Sequence, residues 1–403
     1  MNFRYDPFDA DVMANPLPYY RILRDRHPVY YMPQWDTYAL SRFDDIWRVL
    51  EVNDGTFVAS EGTLPAASVL AKHNAGPVED PPLHPLPFHA VFDAELYGEI
   101  RRAHTQPLRP RAVAGLESRI RTLANERLDL LLPQGSFDLT QDYGGVVVAS
   151  IVCELLGIST DLAQQVLAAV NAGSLAAPGE GVDTAQARPN YLEYLTPVVQ
   201  RRRANSSGDA LPVVDGLLDY RLPDGSALDD VEAATQMLCI FIGGTETVPK
   251  IVAHGLWELA QRPDQMAAVC ADPDNNVPIA REEMIRFCAP AQWFARTARK
   301  PFTIHDQTIR PGQRIITLLA SAARDEREYP DPDDFVWNRP IRRSLAFGRG
   351  QHFCIGYHLA RLEIDVLLGE WLRRVPDYAI NGDAATRLPS SFQWGWNKIP
   401  VEV

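Results

Sequence analysis

Phe347-Gly348-Arg349-Gly350-Gln351-His352-Phe353-Cys354-Ile355-Gly356 is a glycine-rich loop ending in a cysteine. A helical pattern begins directly behind it and runs from Ile355 to about Val375. Backbone N–H groups and the positive end of a helix favour a thiolate at such a place. That thiolate is either a nucleophile or a single axial ligand to heme iron. His352, two residues earlier, would be the base of a Cys–His hydrolase. Hydrolysis also needs an oxyanion site and an orienting third group, and nothing in the sequence marks either. His352 reads better as a donor to an anionic group of a bound ligand.

Bulk properties narrow the choice. The chain has 403 residues, 46% of them hydrophobic, which is ample for a large core. A formal net charge of −13 argues against nucleic-acid binding as the main role, while leaving room for a local basic patch. The five cysteines, Cys153, Cys239, Cys270, Cys288 and Cys354, are scattered and form no CxxC pair. This implies a reducing compartment and no disulfide framework or zinc ribbon. The N-terminus has no basic start and no apolar run, and no stretch approaches 18 uncharged apolar residues. The expectation is a cytoplasmic protein with no membrane span.

Along the chain, Pro16 to Leu23 starts a short helix, and residues 28–40 read as a hairpin. Ser41 caps a helix through Leu50. Residues 53–95 have no firm periodicity, and helix is expected from Glu99. Arg119–Leu132 is amphipathic and Val146–Leu156 is a buried helix. Residues 171–190 read as a loose connection and Ile279–Phe287 as a short helix stopped near Pro290. Residues 301–320 read as short strands, and 321–347 as charged, proline-rich chain with little regular structure. Helices outnumber strands, and no linker separates independent units. The fold class is mostly α with small β-sheets, as one domain over residues 1–403.

Asp229–Arg262 is the longest helical pattern and is apolar on nearly all sides before Gly243. Gly243 and Gly244 remove side chains and let something large approach the backbone. Pro249 removes a helical N–H and predicts a bend, beside which Glu246 and Thr247 place a carboxylate and a hydroxyl. The plainer alternative is a packing kink with the threonine bonded back to its own helix. Glu283 and Arg286 lie three apart on one helical face, a weak signal alone.

The order of these motifs resembles the cytochrome P450 family, in its soluble bacterial type, with some likeness to the camphor-hydroxylase branch. Every fixed position of the family's heme loop is filled from Phe347 to Gly356. The family's Glu-x-x-Arg matches Glu283 and Arg286, and its central-helix motif matches Gly243, Gly244, Thr245, Glu246 and Thr247. Val248 departs from the commoner second threonine, as in camphor-type members.

The resemblance implies a cytochrome P450 fold with a long central helix, binding heme b (iron protoporphyrin IX) through Cys354 as metal ligand. Gly348, Gly350 and Gly356 shape the loop, and Phe347 packs on its thiolate side. His352 and Arg296 match propionate partners. The family's His-x-x-x-Arg puts Arg102 at the arginine place and Gly98 at the histidine place, with Arg101 competing. Arg339 completes a buried ion-pair network with Glu283 and Arg286. Thr247 and Glu246 are the implied catalytic pair, delivering protons during O2 activation. The implied activity is a monooxygenase. Epoxidation, C–C coupling and a non-catalytic heme-thiolate sensor are alternatives. Leu86, Ile240, Gly243, Gly244, Val248, Gln292 and Phe294 are candidate pocket residues. They suggest a small to medium hydrophobic substrate, terpenoid-like by the camphor-type likeness. No fused reductase is expected, so electrons come from a ferredoxin with its reductase, or else a flavodoxin. Arg101, Arg102, Arg109, Arg111, Arg342, Arg343 and Arg349 are the candidate docking patch, and a monomer is expected.

Overall fold

The hairpin at the start of the chain is the seed of a sheet that ties its two ends together. The computed structural model describes residues 3–71 and 77–403. Residues 72–76, within the stretch expected to be irregular, lie outside the described residues. Val29–Met32 pairs antiparallel with Thr37–Leu40. Thr37–Leu40 then pairs parallel with Arg314–Leu318, which pairs antiparallel with Trp293–Ala298. Phe57–Val58 closes the far edge. Arg314–Leu318 is buried on both faces. Alternation along a strand sends Ile315 into one core with Leu40, Phe43 and Ile46, and Ile316 into another with Tyr20 and Leu23.

The remaining mass is helical and packs around the helix Asp230–Ala260. Its start is fixed by a capping box: Glu232 N–H donates to Asp229 Oδ1 (2.7 Å), and Asp229 N–H donates to Glu232 Oε2 (2.9 Å). The helix runs unbroken through Pro249. The central position follows from composition, because a helix apolar all round needs neighbours on every side. Val146–Leu156 packs on it, as does the helix Thr184–Ala204, whose Tyr191 and Tyr194 rings meet Phe241 at 5.5 and 5.9 Å.

Several boundaries differ from the sequence expectation. Ser41 is not a cap: its helix runs from Phe43 to Glu51 with Arg42 at the N-cap, and Ser41 Oγ donates to Pro28 O. Helix begins at Ala94 rather than Glu99. The loose connection over 171–190 shrinks to 174–183, between helices Ala163–Gly173 and Thr184–Ala204. Pro189 and Pro197 hid the second of these, which is held by burial of Tyr191, Leu195, Val198 and Val199. The helix containing Glu283 runs from Pro273 to Cys288 and includes Pro278, with Val277, Ala280 and Met284 buried. In the last two cases tertiary packing outweighs local proline signals. The segment Leu139–Leu156 is apolar enough to cross a membrane by length and composition, yet 72% of it is buried in the core.

Residues after Arg324 run without helix or strand until the Cys354 loop. They are held by a buried ion cluster. Glu283 is 0% and Arg286 1% exposed. Arg286 donates to both Glu283 oxygens at 2.7 Å, and Arg339 Nε lies 3.1 and 3.2 Å from the same two oxygens. Val336 N–H adds a bond of 2.9 Å to Glu283 Oε1. The guanidiniums are themselves used up on backbone carbonyls of Ala323, Pro330, Asp331, Pro332 and Asp334. Removing one partner strands buried charge, so Glu283→Ala should cost roughly 3–5 kcal/mol. Chemical unfolding of purified wild type and variant checks this. A shift in free energy under about 1 kcal/mol, the range of a surface pair, would contradict it.

Candidate functional site

The Cys354 loop is closed by its own backbone. Cys354 N–H donates to Phe347 O (3.0 Å), and Gly348 N–H to Leu345 O (2.8 Å). Gly348 and Gly350 have φ of +70° and +71°. At Gly350 a Cβ would also sit 2.1 Å from Leu50 O, so only glycine fits there. Phe347 meets Tyr357 edge-on at 4.9 Å and lies under the Arg361 guanidinium. The following helix starts at Tyr357, so the Gly356 and Tyr357 N–H groups are left free of helical partners and donate to Cys354 Sγ. Burial lifts the Cys354 thiol above its ordinary range, and these donors with the Arg101 charge oppose the rise without cancelling it. The helix end acts in the direction that the sequence suggested, and a metal cation at Sγ would add to it.

Beside the loop lies a compact polar cluster. His352 Nε2 donates to Asp93 Oδ1 (3.0 Å), and its ring stacks at 4.2 Å on Tyr97. Burial pulls His352 below its usual pKa, partly offset by Asp93. Arg101 donates to Tyr97 Oη (2.9 Å) and Gln351 O (3.2 Å), and its charge reaches Cys354 and His352. Arg296 is buried in the same cluster, where its charge is felt by His352 and Tyr97. Arg102 instead is exposed on the other side of its helix. The Gly98–Arg102 pairing is therefore one residue out of register, and Tyr97-x-x-x-Arg101 occupies the inward face. Tyr97 and Asp93 were not anticipated. The readable signal was an aromatic donor four residues before an arginine, with tyrosine where histidine was sought.

The central helix comes close enough for Cys239 on it to feel the Cys354 charge. Gly243 is exposed in the middle of an otherwise buried helix, and a Cβ there would meet nothing within 4 Å. Cys239, one turn earlier, feels the Cys354 charge. Burial first and that charge second push its thiol up to about 12. Gly244 does not share this open face. A Cβ on it would lie 2.9 Å from Val152, so this glycine serves helix packing. Thr247 Oγ1 donates to Gly243 O (3.1 Å), the back-bond that the plainer reading foresaw. Glu246 is buried, accepting from Ser174 Oγ at 2.5 Å with Lys250 Nζ at 3.9 Å.

The pocket expectations divide. Ile240, Val248 and Leu86 are buried apolar residues of the central core. Leu86 is fixed by its N–H donating to Glu232 Oε1 (2.7 Å). Phe294 packs against Phe392 at 5.4 Å. Gln292 is not a free pocket amide, because its Oε1 accepts from Tyr20 Oη (2.8 Å) and its Nε2 donates to Ser391 O (3.4 Å).

These residues fit a heme. The donor set is one sulfur with two backbone N–H groups behind it. Two guanidiniums, an imidazole and a phenol suit a pair of carboxylate side chains. The Gly243 face leaves space for a flat group. A family model described as cytochrome P450 matches residues 179–375. Cytochrome P450 130 of Mycobacterium tuberculosis is 31% identical over 397 residues, covering 94% of this chain and 93% of that protein. A cytochrome P450 of Rhodopseudomonas palustris, CYP199A2, is 27% identical over 403 residues, covering 99% and 93%. The solved cytochrome P450 CYP109Q5 of Chondromyces apiculatus superposes with a TM-score of 0.81 at 28% identity, covering 99% of this chain and 97% of that one. The register of the polar cluster predicts that Arg101→Ala lowers the heme-to-protein absorbance ratio after purification, while Arg102→Ala leaves it at the wild-type value. Equal loss in both variants would return the assignment to Arg102.

Proposed function

The chain belongs to the cytochrome P450 family, and from that premise we propose a heme b monooxygenase that inserts one atom of O2 into a C–H bond of a small to medium hydrophobic substrate. The observation that carries it is Cys354 Sγ, with the N–H groups of Gly356 and Tyr357 at it and its charge reaching Cys239, one turn before the open face at Gly243. Bound there, heme supplies O2 activation, with electron density pushed onto iron by the thiolate.

The chain's own residues do the rest. Cys354 would hold the heme iron through Sγ, and Gly348, Gly350 and Gly356 let the loop fold tightly enough to present it. Arg101, Arg296, His352 and Tyr97 would hold the carboxylate side chains of the heme. Thr247 carries a hydroxyl that would give up its bond to Gly243 O to donate a proton during O2 activation. Glu246 passes protons toward it from the buried polar side of the helix. Substrate C–H, O2, two electrons and two protons give the alcohol and water. Leu86, Ile240, Val248 and Phe294 offer apolar surface alone, and the commitment of Gln292 to Tyr20 strengthens the hydrophobic reading. A terpenoid-like substrate is the finer proposal, supported by the camphor-type motif ending in Val248.

In this reading the whole chain is one heme-binding unit and a cytoplasmic monomer. A net charge of −13 supports the absence of a nucleic-acid partner, and the burial of Leu139–Leu156 supports the absence of a membrane span there. Electrons come from a ferredoxin and its reductase. Arg109 and Arg111 are exposed at the short helix Pro110–Ala114, which packs against the heme-loop helix Tyr357–Arg374. Arg343 is a weaker contributor because Asp44 and Glu328 neutralise it, as Glu51 does Arg349. An acidic partner is steered to such a patch electrostatically.

Reduced protein under carbon monoxide should show the red-shifted Soret band of heme-thiolate ligation. Its retention in Cys354→Ala would overturn the assignment. Thr247→Ala should keep substrate affinity and lower the product formed per reductant consumed. Unchanged coupling would remove Thr247 from proton delivery. Arg109→Glu with Arg111→Glu should raise several-fold the ferredoxin concentration for half-maximal turnover, and added salt should slow reduction of the wild type. Insensitivity to both would move the docking face elsewhere.

A further inference from the structure

The chain has four lysines, and one of them, Lys250, sits inside the central helix with 2% of its surface exposed. An ammonium ion is expensive to bury unless it is paired and hydrogen-bonded. Lys250 Nζ donates to Glu246 O (2.9 Å) and to Asn171 Oδ1 (3.4 Å), and lies 3.9 Å from Glu246 Oε2. The spacing i, i+4 with the acid first is the favourable order on a helix. Around this pair the structure is closed. Ser174 Oγ donates to Glu246 Oε2 at 2.5 Å, Asn171 Nδ2 donates to Gln141 Oε1 at 2.9 Å, and Gln141 Nε2 donates to Asn397 O at 2.7 Å.

The pair is electrostatically isolated. From the helix Thr184–Ala204, Tyr191 faces Glu246, and its phenol is pushed up to about 12, chiefly by burial, so it is neutral. From the segment Leu139–Gly145 comes the Gln141 amide, and from Ala163–Gly173 and the residue after it come Asn171 and Ser174. On the same helix the next turn's His254 is turned to Glu258 at 3.2 Å. Among the described residues, then, Lys250 is the cation that faces Glu246. Burial pulls the Lys250 ammonium below its usual pKa and the Glu246 charge pushes it back up.

We propose that Lys250 is a positioning residue of the oxygen-activating site: it pairs with Glu246 and anchors it beside Ser174, one residue from Thr247. This rests on the monooxygenase reading for its consequence, though not for its geometry. A carboxylate paired with a cation takes up a proton and releases it again. The same group without its cation stays protonated in a low-dielectric site and stops cycling at neutral pH.

The test has two arms. Lysine labelled with 13C at Cε gives four resonances, and the diamagnetic ferrous carbon monoxide form allows them to be followed against pH. In Glu246→Gln the Lys250 signal should titrate about 1–3 pH units lower than in wild type. Titration at the same pH in both proteins would overturn the pairing. In turnover, Lys250→Met should move the acid limb of product formed per reductant to higher pH by a similar amount, because a buried carboxylate holds its proton more tightly when a neighbouring cation is removed. Lys250→Arg should restore the wild-type profile. An unmoved profile in Lys250→Met with normal substrate affinity would overturn the role. If Lys250→Met does not fold, the Glu246→Gln titration still decides. A wild type lacking the carbon monoxide band would overturn the monooxygenase reading instead, and the titration of the lysine would then be read in the reduced protein.

Discussion

A single buried carboxylate, Glu283, holds two guanidiniums at once, and the chain after Arg324 depends on it. Arg286 approaches from the same helix and Arg339 from the irregular chain beyond it. Neither arginine tolerates burial alone, and each spends its remaining N–H groups on carbonyls of that irregular chain. Those carbonyls have no helix or sheet to satisfy them. The cluster therefore does for residues 323–336 what hydrogen-bond ladders do elsewhere. It also fixes where the chain enters the Cys354 loop.

From that anchor the two sides of the site are built by different means. The sulfur side is local, made of glycine conformations, a loop hydrogen bond and the first turn of a helix. The opposite side is made by the central helix, whose three relevant residues point in three directions. Gly243 faces open space, Gly244 faces Val152, and Glu246 faces Ser174 and Lys250. A helix turns about 100° per residue, so neighbours in sequence serve unrelated neighbours in space. The site thus receives an open face, a hydroxyl and a buried acid from five consecutive residues.

The polar cluster beside the loop shows how burial governs its chemistry. Arg296 and His352 lose part of their affinity for protons to desolvation, and Asp93 compensates in part for each. An incoming pair of carboxylates would complete that compensation. This is a physical reason for cofactor binding to contribute to folding of this region.

How much the sequence determined follows the range of the interactions involved. The Cys354 loop, the Glu283–Arg286 pair and the hairpin over residues 28–40 are short-range features. Their residues are within a few positions of one another, so spacing carries the geometry. A bond from Thr247 back to its own helix was the plainer alternative, and its partner is Gly243 O. What the tertiary structure alone decided is which face each side chain presents and to whom. Arg101 rather than Arg102 turns inward because the helix from Ala94 packs with Tyr97 against His352, 255 residues away. Gln292 was assigned to a pocket and instead bonds Tyr20, which no local pattern announces. Lys250 reads as an ordinary polar residue after a proline until helix Ala163–Gly173 closes over it. A one-residue rotation about a helix axis is invisible to composition and decisive for chemistry, because only the partner that arrives from elsewhere in the chain fixes which rotation is buried.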